Sequence, residues 1–201
     1  MVDRGRRATK STRPGVLGLQ GDFQEHLATL RALGTDPVDV RRPEQLADVD
    51  ALVIPGGEST TIGKLAARYG FVPALRERVA AGLPVWGTCA GAIFIAREVP
   101  GHPHPLAALM DLTVERNAFG RQVDSFEADL RVAALGDEPF HAVFIRAPRI
   151  ARAGPGVEIL ASLADGTIVA AREGRLLATS FHPELTGDHR FHEYFLSFGE
   201  R

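Results

Sequence analysis

The sequence predicts a single α/β domain with a mostly parallel, doubly wound central sheet followed by strand-rich additions. Three observations predict it. Short apolar runs alternate with helix-period stretches through the first half of the chain, the pattern of parallel βα units. Glycine or proline punctuates almost every change of element. From Leu112 onward, short strands follow one another with little helix between them. At 201 residues the chain fits one ordinary domain.

Taken in order, Gly15–Leu19 (GVLGL) is a short apolar run that reads as a buried strand. After the turn Gln20-Gly21-Asp22, the residues Phe23, Leu27, Leu30 and Leu33 mark a helix face, and Gly34 stops the helix. His26 is placed on that helix's polar face. Pro37–Val40 and Ala51–Ile54 read as strands, the second halted by Pro55-Gly56-Gly57, after which Ser59 or Thr60 can cap a helix. Val72, Leu75 and Val79 mark another helix face ended by Gly82; Pro84–Trp86 is a strand and Ala90–Ala96 a buried helix. The later strands are Leu112–Arg116, Ala128–Val132, Ala142–Ile145, Val157–Leu163, Thr167–Arg172 and Leu176–Ser180. Asp165-Gly166 and Glu173-Gly174 are hairpin-turn chemistry, and Asp188–Phe198 closes the chain as a helix.

Composition narrows the function classes. With 45% hydrophobic and 24% charged residues, the chain has the make-up of a soluble globular protein and needs no disulfide or metal staple. A formal net charge of −2 offers nothing global to a polyanion, so nucleic-acid binding is not expected. The single cysteine cannot form an internal disulfide, which suits a reducing compartment. No apolar run approaches the roughly 20 residues of a membrane span. Residues 1–13 carry Arg4, Arg6, Arg7, Lys10 and Arg13 against Asp3 and lack a signal peptide's apolar core. They read as a frayed basic extension ahead of one domain over 14–201, and the expected location is the cytoplasm.

The lone thiol sits in Gly87-Thr88-Cys89-Ala90-Gly91, between a strand and a buried helix. Strand, sharp turn and helix with the reactive side chain at the corner parallels the G-x-S-x-G elbow, with sulfur for oxygen. Small neighbours suit a tight, strained turn, and the positive end of a helix favours thiolate. A thiol nucleophile needs a base, and the base needs an orienter. Among seven histidines, His182 stands out because Ser180-Phe181-His182-Pro183-Glu184 follows an apolar strand, and residues two apart in extended chain share a side. His102 and His104, in GHPHP, are read as a solvated loop, and His141 as preceding a strand. Pro55-Gly56-Gly57-Glu58-Ser59-Thr60 leaves the end of another strand, so it shares a rim with Cys89 and offers backbone N–H groups to an oxyanion.

Several longer stretches carry a resemblance: GVLGLQG at Gly15–Gly21 with Glu25-His26 following, PGGEST at Pro55–Thr60 and GTCAG at Gly87–Gly91. VERNAFGRQVDSFEADL at Val114–Leu130, FIRAP at Phe144–Pro148 and SFHPELT at Ser180–Thr186 complete it. Together they resemble the class I (triad) glutamine amidotransferases, and within them the family of glutaminase subunits of pyridoxal 5'-phosphate synthase. The resemblance runs from about Gly15 to about Phe198 and implies a flavodoxin-like three-layer sandwich. It implies hydrolysis of L-glutamine to L-glutamate and ammonia through a cysteine thioester. The ammonia would pass to a synthase (lyase) partner in a large hetero-oligomer that makes pyridoxal 5'-phosphate (vitamin B6).

By the same resemblance Cys89, His182 and Glu184 match the triad, and Gly57, Glu58 and Ser59 match the glutamine-binding loop. Arg116, Ile145 and Arg146 match the rest of the glutamine pocket, and Gln20 and Gly21 match a loop facing the partner. Both arginines suit bidentate binding of an α-carboxylate. No metal or organic cofactor is implied, since pyridoxal 5'-phosphate is the product of the complex. The family's lone subunit is nearly silent until docking, and the PGG loop is the expected switch because glycines let a peptide turn over cheaply. Competing readings are an amidotransferase serving another synthase, a non-catalytic subunit that kept the fold, and a cysteine peptidase.

Overall fold

Residues 12–116 and 125–199 are described by a computed structural model of the chain. Most of the basic start and the stretch 117–124 of the VERNAFGRQVDSFEADL motif lie outside the described residues. The order is β1 (Pro14–Leu17), α1 (Phe23–Ala32), β2 (Val38–Val40), β3 (Ala51–Ile54), α2 (Ser59–Arg68), α3 (Phe71–Ala80), β4 (Val85–Thr88) and α4 (Ala90–Ile95). Then come β5 (Ala96–Glu98), β6 (Met110–Glu115), β7 (Ser125–Leu130), β8 (Phe140–Ile145), β9 (Arg149–Ala153), β10 (Glu158–Ser162), β11 (Ile168–Glu173), β12 (Leu176–Thr179) and α5 (Arg190–Leu196).

The main sheet runs β2-β1-β3-β4-β12-β11-β9-β6-β5, with β10 beside β11. Its first five strands are mutually parallel. The turn from β11 into β12 reverses the direction, and β9 and β6 continue antiparallel. Strands β7 and β8 form a separate antiparallel pair. This is the mixed α/β architecture that the sequence predicts, a parallel half followed by strand-rich additions.

Alternation along the central strands makes three layers. In β3, Leu52 and Ile54 point to a core shared with Ile62, Phe71, Leu75 and Phe94 of α2, α3 and α4. Ala51 and Val53 point the other way, to a core with Leu27 and Leu30 of α1, Phe191 and Phe195 of α5, and Phe140 and Phe144 of β8. Both faces of the central strands are therefore covered, which is why they read as continuous apolar runs. Trp86 of β4 is wholly buried between α1 and α5, its Nε1–H donating to Thr179 Oγ1 at 3.1 Å.

Some elements depart from the sequence reading. Strand β9 is not visible in the sequence because Arg149 and Arg152 break any apolar run; they pair across the sheet with Glu115 and Asp111 of β6. The apolar run after Cys89 changes to strand at Ala96, which pairs with Met110. Strand β7 begins at Ser125, earlier than Ala128, because Phe126, Ala128 and Leu130 pack inward while Glu127 and Asp129 face His141. His141 thus lies within β8. His26 does not lie on a polar face of α1. It is completely buried, because positions 23, 26, 27 and 30 share a helix face and its polarity does not move it off that face.

Candidate active site

Four elements end at one rim: the β1–α1 turn, the β3–α2 loop, the β4–α4 elbow and the segment after β12. Parallel neighbours β1, β3, β4 and β12 must present their carboxyl ends together, and ligands of such sheets bind there. The rim opens into a cavity of about 430 Å³.

Cys89 stands at the elbow with φ 47 and ψ −105, a conformation L-residues seldom adopt. The flanking glycines hold it there by close packing. A Cβ on Gly91 would lie 2.0 Å from the Ile54 carbonyl oxygen, and one on Gly87 would lie 2.5 Å from that of Gly91. The Cys89 amide donates to Thr179 O at 2.8 Å, which pins the elbow to β12. Its N–H is therefore spent. The next one, on Ala90, opens α4 and has no intrahelical acceptor. Sγ lies 3.8 Å from the Ile145 carbonyl oxygen.

His182 follows β12 and lines the same cavity as Cys89. Its amide donates to Val143 O at 2.9 Å, fastening the segment to β8. Nδ1 lies 2.7 Å from Glu184 Oε1, with both residues buried. The two do not meet as neighbours on one side of an extended chain, because Pro183–Leu185 is a 3-10 turn. Pro183 sets φ at the first position of that turn, and the turn folds the carboxylate back onto the ring. Burial works against charge on His182, but hydrogen bonds with Cys89 and Glu184 and the charges of both outweigh it and raise its pKa to about 10. Burial raises the Glu184 pKa, and the neighbouring imidazole partly offsets this.

The β3–α2 loop lies across the cavity. Gly57 has φ +147, open to glycine and strained for other residues, and Gln20 Oε1 accepts from the Glu58 amide at 2.8 Å. Glu58 itself caps α2, in place of the expected Ser59 or Thr60. Its carboxylate accepts from the amides of Thr60 and Thr61 at 2.9 and 2.7 Å and from the Thr61 hydroxyl at 2.7 Å. A carboxylate satisfies two orphan helix donors where a hydroxyl satisfies one, and the helix dipole adds to it. Partial burial opposes the charge on Glu58, yet these bonds lower its pKa to about 2.

Arg116 is held beside the loop, with Nη2 3.8 Å from Glu58 Oε1 and Nη1 donating to His102 Nδ1 at 3.1 Å. The GHPHP loop is thus not simply solvated, since His102 steadies Arg116. Partial burial and the Arg116 charge lower the His102 pKa, which keeps the accepting nitrogen unprotonated. Arg146 also reaches the cavity, from a backbone with φ 44.

Of the residues singled out in the sequence, Cys89, His182, Gly57, Glu58, Ser59, Arg116, Ile145 and Arg146 all line the cavity, and Glu184 lies behind His182. Gln20 and Gly21 line it too. Sequence reasoning missed Asp22, Ala90, Ile93 and Leu185, which are also in the lining. Asp22 Oδ2 is 3.5 Å from His182 Nδ1, and only its place beside Gln20-Gly21 hinted at this. Donor atoms of Asp22, His182 and Glu184 lie within 4.8 Å of one another. A protonated Nδ1 already engaged by Glu184 has no lone pair for a metal.

With this geometry in view, the SNO glutamine amidotransferase family model matches residues 16–200. The pyridoxal 5'-phosphate synthase subunit PdxT of Herpetosiphon aurantiacus is 60% identical over 185 residues, covering 90% of this chain and 97% of that protein. The PdxT subunit of Pelotomaculum thermopropionicum is 61% identical over 182 residues, covering 90% of this chain and 92% of that one. A crystal structure described as a glutamine amidotransferase superposes with a TM-score of 0.88 at 54% identity, over 92% of this chain and 98% of that one. A chain of PurLQS from Thermotoga maritima shares the fold, with a TM-score of 0.69 at 15% identity over 93% of this chain and 99% of that one.

Proposed function

The chain belongs to the SNO glutamine amidotransferase family, and on that premise we propose that it hydrolyses L-glutamine to supply ammonia for pyridoxal 5'-phosphate synthesis, with Cys89 as nucleophile, His182 as acid and base, and Glu184 as orienter. One observation carries the assignment of residues: a strained, glycine-flanked thiol lines the same cavity as a buried imidazole that a buried carboxylate grips at 2.7 Å.

His182 takes the proton of Cys89 as the reaction begins, and its raised pKa fits the ring to hold that proton. The thiolate attacks the side-chain carbonyl carbon of glutamine, forming a C–S bond. The oxyanion is met by the Ala90 N–H and the Gly57 region; one such donor is typically worth about 3–4 kcal/mol. His182 gives its proton to the leaving nitrogen and ammonia departs, leaving a thioester. His182 then takes a proton from water, whose oxygen displaces the thiolate and releases glutamate. Arg116 and Arg146 suit the α-carboxylate. Glu58 serves mainly through the Arg116 contact and the cap on α2, because its own oxygens are engaged there.

The partner in this reading is a pyridoxal 5'-phosphate synthase subunit, inferred from the role named for the PdxT relatives. In a hetero-oligomer with it, Gln20 and Gly21 connect the loop facing the partner to the oxyanion loop, since Gln20 holds the Glu58 amide. No metal or organic cofactor is assigned to this chain. Among the described residues, no helix is long and apolar enough to cross a membrane. The test is glutamate release with and without the synthase partner, for the wild type and for Cys89→Ala. The wild type should be strongly stimulated by the partner and Cys89→Ala inactive. Glutamine hydrolysis by Cys89→Ala at the wild-type rate would end the proposal.

A further inference from the structure

Behind the proposed triad lies a buried polar chain that the mechanism above does not use. His26 of α1 is fully buried, with Nε2 3.3 Å from Glu184 Oε2 and 3.2 Å from Thr88 Oγ1. Its Nδ1 lies 3.0 Å from His192 Nε2, on α5. His192 is also fully buried, edge-on to Trp86. Thr88 immediately precedes the thiol and Glu184 orients the imidazole, so one ring touches both halves of the triad's support. A lone histidine inside a helix–sheet interface is often only a satisfied core residue. Here the partners are specific and the balance of donors and acceptors selects one arrangement.

Both imidazoles are neutral. Burial above all, then the charges of His192 and His182, push the His26 pKa well below its ordinary value. Burial and the charge of His189 lower that of His192 to about 3. Two tautomeric arrangements remain. If His26 carries its hydrogen on Nδ1, it donates to His192 Nε2; His192 then keeps a buried N–H at Nδ1 without an acceptor, and Glu184 Oε2 faces no donor. If His26 carries it on Nε2, the hydrogen is donated to Thr88 Oγ1, with Glu184 Oε2 3.3 Å from the same nitrogen, while Nδ1 accepts from His192 Nε2–H. That arrangement leaves a bare ring nitrogen on His192 and sets an N–H edge, without a hydrogen bond, beside Glu184 Oε2. A bare acceptor against apolar neighbours costs less than an orphan donor together with a carboxylate oxygen that faces a ring lone pair. The second arrangement wins. The approach to Oε2 is off-axis, and Oε2 makes no hydrogen bond among the described residues, so the 3.3 Å contact with His26 Nε2 is an electrostatic one.

We infer that His26 is a positioning residue for the proposed triad, holding the outer oxygen of Glu184 through Nε2–H while tying Thr88 to the same helix. Glu184 has one oxygen for His182 and one for His26, and without the second contact it is free to rotate about its last torsion. His182 then loses its fixed orientation toward Cys89. The inference rests on the triad reading above and touches neither glutamine nor the partner.

Three substitutions test it in the chain assembled with the synthase partner. His26→Leu keeps the volume and removes both ring nitrogens. His26→Gln returns an amide N–H near the position of Nε2, and His26→Asn returns one only near Nδ1. We expect His26→Leu to lower kcat for glutamine by about tenfold or more, with KM within about twofold, because no substrate contact is lost. His26→Gln should recover kcat to within about threefold of the wild type. Iodoacetamide capture of Cys89, the chain's one cysteine, should slow with His26→Leu and recover with His26→Gln, which a purely packing role would not produce. If His26→Leu does not fold, by circular dichroism, His26→Asn carries the same expectation. If neither folds, the residue is structural and the inference fails. It also fails if His26→Leu keeps kcat within about twofold, if the loss falls on KM, or if His26→Gln is no better than His26→Leu. Cys89→Ala run alongside separates the outcomes: an active Cys89→Ala removes the triad, whereas an inactive one beside a fully active His26→Leu removes only the role of His26.

Discussion

Gly91→Ala puts the elbow's packing to the test. The added Cβ would stand 2.0 Å from Ile54 O, 2.8 Å from the Ile54 carbonyl carbon and 3.2 Å from Pro55 O, all backbone that no rotamer change can clear. Carbon–oxygen contacts below 3.0 Å are essentially never seen, so α4 must move from β3 by at least about 1 Å. Overpacking of this kind typically costs about 1–3 kcal/mol. At about 2–4 °C per kcal/mol for a chain of this size, Tm should fall by roughly 2–12 °C. The same movement carries Cys89, close by on the elbow, off its line to His182, and a displacement of about 1 Å can cost on the order of 10²-fold in rate. Melting curves of the chain and glutamate release by the complex read the two effects separately. Gly156→Ala is the control, since a Cβ there meets only Glu173 Oε1 at 3.9 Å and the backbone φ is ordinary. A Gly91→Ala protein with wild-type Tm and wild-type kcat would refute the claim that close packing of α4 on β3 sets the nucleophile.

Other consequences follow from the charges. With the His182 pKa at about 10, above the 6.5 of a free imidazole, the imidazolium and its pairing are fully present below pH 6.5 and are lost as pH climbs through about 10. The alkaline limb of kcat against pH should accordingly lie well above neutrality, and Glu184→Gln should move it downward; a limb near 6.5 in the wild type would contradict the pairing. Glu58→Ala removes the cap of α2 and releases Arg116, so Tm should fall by the equivalent of about 1 kcal/mol and the glutamine KM should rise. An unchanged melting curve would show that Thr60 and Thr61 find other acceptors. The pKa of Glu58, about 2 against the 4.5 of a free side chain, means that this cap persists above pH 4.5 and is lost as the pH falls toward 2.

The parts legible in the sequence were those that depend on local periodicity and chain direction. Continuous apolar runs such as Ala51–Ile54 announce strands covered on both faces, and glycine and proline locate the turns after them. Parallel strands must bring the loops after them to one edge, so the meeting of Cys89, Gly57 and His182 was foreseeable before any coordinate. What only the tertiary structure decided was what each polar side chain does once its neighbours arrive. Glu58 became the cap because α2's amides lie within its reach; His102 became the support of Arg116; the H-P-E segment curled into a 3-10 turn that still joins ring to carboxylate. His26 shows the limit best. Its spacing with Phe23, Leu27 and Leu30 places it on the inward face, but its partners come from residues 62, 158 and 166 positions away. Periodicity is a property of a few neighbouring residues. A buried hydrogen-bond network depends on which distant segments the fold packs together, and no local pattern carries that information.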